Sequence, residues 1–137
     1  MGLPRGEIGV RAAQLERCLD ATLSRAGLRL SQLDDPTVYQ NRPAWVIYYS
    51  GEDCKLQVCW SARDGGIDFL LAPLGAPNEF GLLNASKKWH LMLMLSNAHD
   101  DLVTPPPDAD DQTEMSWLKA LFEIHFEAAR AALLSAD

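Results

Sequence analysis

The sequence contains no Gly-x-Gly-x-x-Gly, no Walker loop, no Gly-x-Ser-x-Gly elbow and no His-Glu-x-x-His. These absences speak against nucleotide-cradling loops, the strand-to-helix nucleophile turn and the helical zinc pair of metalloproteases. Cysteine is scarce: Cys18, Cys54 and Cys59 are an odd number at no framework spacing, which predicts free thiols in a reducing, cytoplasmic compartment of bacterial type. Basic residues are outnumbered 12 to 19, giving a net charge of −7. That charge repels phosphate backbones and anionic lipid, so nucleic acid and membrane are excluded as expected partners and a basic protein is favoured. No apolar run approaches the length of a bilayer span. The opening MGLPRGEIGV has no apolar signal core, and Gly6 stands where a myristoylation signal needs Ser or Thr.

What is present fits a single α+β domain over residues 1–137, with 47% hydrophobic and 23% charged residues. From Glu7 to Ala26 the positions Ile8, Ala12, Leu15, Leu19, Thr22, Leu23 and Ala26 recur at three and four, predicting an amphipathic helix that Gly27 can close in the left-handed conformation. Asp34-Asp35-Pro36 and Asn41 to Pro43 read as turns. The period then becomes two. Ala44 to Ser50, Cys54 to Ser61 and Ile67 to Ala72 predict a three-stranded antiparallel meander, with Arg63-Asp64-Gly65-Gly66 as turn chemistry between the last two strands.

Alternation assigns Trp45, Ile47, Tyr49, Leu56, Val58, Trp60, Ile67, Phe69 and Leu71 to a core face. The opposite face carries Val46, Tyr48, Lys55, Gln57, Cys59, Asp68 and Leu70, too apolar for a plain solvated surface. Tyr48, Gln57 and Leu70 are therefore candidate partner-binding residues. Residues 73–86 read as an ordered loop. Lys87 to Ser96, rich in Leu and Met, is expected to be helix, although Trp89, Leu91, Leu93 and Leu95 also alternate, and Lys87 and Lys88 read as a solvated helix end. Asn97 to Asp111 holds Pro105-Pro106-Pro107 and five aspartates, and predicts a solvated, extended connector inside the domain. A long helix from Gln112 to Leu134 follows, with Asp111 as its cap and Glu114 returning the bond. Its wide apolar arc should bury both flanks, one against the sheet.

The histidines lack ligand spacing. Cys54 and Cys59, five apart on a strand, point to opposite faces, so no metal and no cofactor is expected. His125, flanked by Phe122, Phe126 and Ala129, reads as a histidine bonded to backbone or to a carboxylate in a structural role. Two features remain after this discounting: surplus apolar surface, and the acidic strip Asp100, Asp101, Asp108, Asp110, Asp111 and Glu114. Together they point to a non-catalytic protein-binding module. In layout, helix then meander then long helix, the chain resembles the small acidic immunity proteins that neutralise toxins and the small acidic chaperones of secreted effectors. The first resemblance implies an inhibitor of a basic partner, the second a homodimer. A small-molecule-binding or hydrolytic domain is the remaining class.

Overall fold

The computed structural model describes the backbone of residues 5–39, 42–61, 66–81, 85–106 and 108–135, and their side chains except at 5–12, 35–39, 42–43 and 61. Helix α1 (Arg5–Arg25) leads into a sheet of β1 (Arg29–Tyr39), β2 (Arg42–Ser50), β3 (Cys54–Ser61), β4 (Ile67–Pro73) and β5 (His90–Leu91). A single turn of helix, α2 (Met92–Leu95), and the 25-residue α3 (Asp111–Ser135) complete the fold. The sheet runs in sequential order β1-β2-β3-β4-β5 with every neighbour antiparallel. Among the described residues no helix is long and apolar enough to cross a membrane.

Helix α1 ends as the sequence predicts. Gly27 takes φ 81°, the Leu28 amide donates to the Leu23 carbonyl and the Gly27 amide to that of Ser24. This is a Schellman closure, and it folds Leu28 back beside Leu23 in the core. Of the predicted helical stripe, the side chains of Ile8 and Ala12 lie outside the described residues.

The three-stranded expectation is corrected to five. The two further strands are the short β5 and the long β1, the latter hidden because Asp34-Asp35-Pro36 lies inside it instead of forming a turn. The register passes from Asp34↔Val46 to Thr37↔Ala44, so the partner strand supplies one residue fewer there. Such a bulge suits an edge strand, where a proline without an N–H leaves no ladder bond broken on its open side. The Asn41 to Pro43 turn is in part outside the described residues, with β2 already begun at Arg42. Of the Arg63 to Gly66 turn only Gly66 is described.

The helical expectation for Lys87 to Ser96 is corrected as well. Lys87 has φ 58° and precedes β5, so the two lysines end no helix, and the Leu/Met stretch divides into two residues of strand and one helical turn. Both of its competing periodicities are thus used in succession.

Each face of the sheet closes its own core. On one face Trp45, Ile47 and Tyr49 of β2 stand opposite Trp60, Val58 and Leu56 of β3, and these oppose Ile67, Phe69 and Leu71 of β4. Leu15, Leu19 and Leu23 of α1 and Met115, Leu118, Phe122, Phe126, Ala129 and Leu133 of α3 cover them. Every one of these is buried except Trp60, which is partly so. Cys54 lies in this cluster and Cys59 in the other, as their spacing requires. The second flank of α3 is covered unevenly: Leu121 is buried and Ile124 is exposed.

The second face is Val46, Tyr48, Cys59, Leu70 and Ala72, and its cover is a strap of the chain's own residues, among them Ala76, Phe80 and Trp89. Trp89 packs on Tyr48 with ring centroids 5.8 Å apart and donates from its indole N–H to the Pro77 carbonyl. Lys55 reaches over to the Ala76 carbonyl. Gln57, wholly buried, donates to the Glu79 carbonyl and accepts from the Gly81 amide, both at 2.7 Å. Its side-chain amide thus does for the strap what a neighbouring strand's backbone would do.

Candidate functional site

The 97–111 segment, expected to be solvated and loosely held, has no helix or strand over 97–106 and 108–110, but it is anchored. Asp100 Oδ2 lies 2.5 Å from His125 Nε2, and Asp100 Oδ1 accepts the Leu102 amide at 2.9 Å. Leu102 packs against the helix-face core. At the far end Asp110 Oδ1 accepts the Thr113 amide at 2.7 Å, so the cap of α3 is Asp110 and not Asp111. Pro107 lies outside the described residues. The sequence places the segment between α2 and α3; His125, one turn beyond Leu121, holds it down.

His125 is 5% exposed and is bonded through both ring nitrogens, Nδ1 lying 2.8 Å from Ser96 Oγ. The carboxylate partner expected for it is Asp100. Ser96 in turn accepts the Ala98 amide at 3.0 Å. The bond from His125, the Leu102 amide and the nearby imidazoles hold the Asp100 carboxyl below the usual carboxylate range. An ionised Asp100 can only accept, so Nε2 carries the proton and donates. In the neutral ring Nδ1 is then an acceptor for the Ser96 hydroxyl.

The predicted strip is thereby divided. Asp100 is engaged by His125 and Asp110 by the helix cap, whereas Asp101, Asp108 and Asp111 are exposed. Asp101 lies 3.2 Å from the exposed His99, and no Lys or Arg among the described residues pairs with Asp108 or Asp111. Glu114 lies in the first turn of α3. Close by in sequence, Leu93, Met94 and Val103 are 51%, 80% and 85% exposed. The other candidates, Tyr48, Gln57 and Leu70, are brought together on the second sheet face and sealed there by the strap, which leaves none of them accessible.

Sequence reasoning missed a groove of about 690 Å³ where α1 ends against the sheet, lined by Leu28, Arg29, Leu30, Ser31, Gly51 and Glu52. A smaller hollow of about 190 Å³ beside it is bounded by Arg25, Asp53, Cys54 and Arg130. Arg130 grips Asp53 through two bonds, 2.9 and 2.6 Å, tying α3 to the β2–β3 turn. That pairing lowers the Asp53 carboxyl, and burial raises the Cys54 thiol to about 11, so the thiol is not a ready nucleophile. Among the described residues no three His, Cys, Asp or Glu side chains converge on a metal position.

Asp53, Asp100 and Asp110 all titrate lower when folded. Their contribution to stability is therefore complete above the unfolded carboxyl value of about 4 and is lost as pH falls through their folded values. Thermal melts should hold from pH 7 to about 5 and then drop towards pH 3. The double variant Asp53→Asn, Asp100→Asn should flatten that drop. A wild-type melting temperature unchanged at pH 3 would contradict the assignment.

No family model, no curated protein and no solved structure matches this chain.

Proposed function

We propose that this chain is a cytoplasmic protein-binding module that meets a basic partner through the outward carboxylates of its 97–111 segment, in the manner of an immunity-type or antitoxin-like inhibitor. The observation that carries this reading is the presentation of Asp101, Asp108 and Asp111. All three are exposed, and the segment that bears them is fixed at Asp100, Leu102 and Asp110. Anchoring reduces the ordering cost that a floppy acidic tail would meet on binding. A cluster of one sign at a rim speeds encounter with an oppositely charged surface, and the net charge of −7 adds to that field. The exposed Leu93, Met94 and Val103 offer apolar contact beside it. The homodimer reading needs an apolar sheet face together with a helix, and the second sheet face is occupied by the strap.

The test is the triple variant Asp101→Asn, Asp108→Asn, Asp111→Asn, which spares the two structural aspartates. Its unfolding free energy should stay within about 0.5 kcal/mol of wild type, as for surface substitutions generally. With a partner isolated from the native host, association at low salt should slow several-fold and lose much of its salt dependence. A partner that binds the variant as fast as wild type at low salt would remove the strip from the interface.

A further inference from the structure

We propose that Ser96 is an activated nucleophile, with His125 as its base and Asp100 as the group that orients that base, able to take an acyl group from a small activated ester. This chemical capability is separate from the binding reading above and is tested separately.

The geometry is a continuous relay. Ser96 Oγ lies 2.8 Å from His125 Nδ1, and His125 Nε2 lies 2.5 Å from Asp100 Oδ2. A nucleophile within hydrogen-bond reach of a base, itself oriented by a third group, is the recurring arrangement of acyl transfer, recognised by roles and not by order in the chain. Here Nδ1 faces the serine and Nε2 the carboxylate. Either ring nitrogen can take a proton while the other donates, so the exchange of nitrogens leaves the logic intact.

Three surroundings favour reactivity over a purely structural lock. The Leu102 amide fixes the Asp100 carboxylate as an ionised acceptor, which selects the tautomer that leaves the Nδ1 lone pair on the serine side. The Ala98 amide donates to Ser96 Oγ at 3.0 Å, which holds the hydroxyl in place and leaves its proton to point at Nδ1. His125 is shielded from water, whereas Ser96 is partly exposed and caps the single helical turn that carries the exposed Leu93 and Met94.

In the step, Ser96 Oγ bonds to the ester carbonyl carbon and its proton passes to His125 Nδ1. The bond to the leaving alkoxide breaks with its electron pair, and the alkoxide takes the proton from His125 Nδ1 and departs as the alcohol, giving an acyl-serine. Water then attacks the acyl carbon as His125 Nδ1 takes one of its protons; the Oγ–acyl bond breaks, Oγ takes that proton back from His125, and the carboxylic acid departs. Attack on a fluorophosphonate instead forms an Oγ–P bond and expels fluoride, which traps the serine.

The full chain, treated with a small alkyl fluorophosphonate and read by intact mass and peptide mapping, should take one equivalent at Ser96 ahead of every other serine. Ser96→Ala should take none at that rate. Asp100→Asn, which keeps a side chain able to bond to His125 but removes its charge, should slow labelling about tenfold or more. His125→Gln should do likewise. If that variant fails to fold, Asp100→Asn, checked by its melting curve, decides the role of the relay. Wild-type protein that takes no more label than Ser96→Ala, or label spread over other serines, would reduce the relay to a latch and overturn the proposal. So would an Asp100→Asn variant that is folded and labels as fast as wild type.

Discussion

Replacing Phe122 by Ala is expected to lower the free energy of unfolding by roughly 3 to 5 kcal/mol. The ring is 2% exposed, lies stacked on Phe126 at 4.6 Å between centroids, and meets Phe69 of β4 at 5.8 Å with the planes tilted by 52°. It is thus one of the contacts through which α3 sits on the sheet. Truncation removes the transfer free energy of a buried ring and leaves a hole between a helix and a strand, two elements with little freedom to close it. Urea denaturation followed by tryptophan fluorescence measures the loss as a lower midpoint at unchanged slope. A loss below about 1 kcal/mol would mean that the site collapses easily or that α3 is not docked there.

The second large effect is expected at Gln57. Gln57→Leu preserves volume but leaves the Glu79 carbonyl and the Gly81 amide without the side-chain partners they now have. A buried polar group deprived of its partner costs roughly 1 to 3 kcal/mol, so the pair should cost about 2 to 4 kcal/mol, limited by how far the strap lifts to find water. Lifting also uncovers Tyr48, Leu70 and Trp89. The readouts are urea unfolding and amide hydrogen exchange, with protection lost at Gly81 before it is lost in the central strands. Unchanged stability together with unchanged protection at Gly81 would show that the strap is held without Gln57.

The same glutamine shows where sequence pattern stops. Alternation placed Tyr48, Gln57 and Leu70 on one face and marked that face as too apolar for solvent, which is correct. It could not tell an external partner from the chain's own loop, because the strap is irregular and has no period to match against the strand. Helices α1 and α3, strands β2 to β4 and the opposed directions of Cys54 and Cys59 were legible because burial on one side imposes a period of 3.6 or 2. Strand β1 was hidden by Asp34-Asp35-Pro36, residues that favour turns locally but fit a bulged edge once β2 lies alongside. The relay was half visible. His125 on an apolar flank asked for a polar partner, but Ser96 and Asp100 are 29 and 25 residues away, and no local spacing connects them.

The sequential sheet order has a consequence for synthesis. Each strand can pair with its predecessor as soon as it leaves the ribosome, and the strap can close the second face once Trp89 has emerged. The helix face closes later: α1 is made before the sheet, but Val58, Phe69 and Leu71 wait for Phe122 and Phe126 of α3, which follows every strand in the chain. A nascent chain stalled before Asp111 therefore displays a paired sheet with one sealed side and one greasy side. Such a product should depend on chaperones or aggregate, whereas a chain extended through α3 can close that side, and the timing of α3 sets how long that hazard lasts.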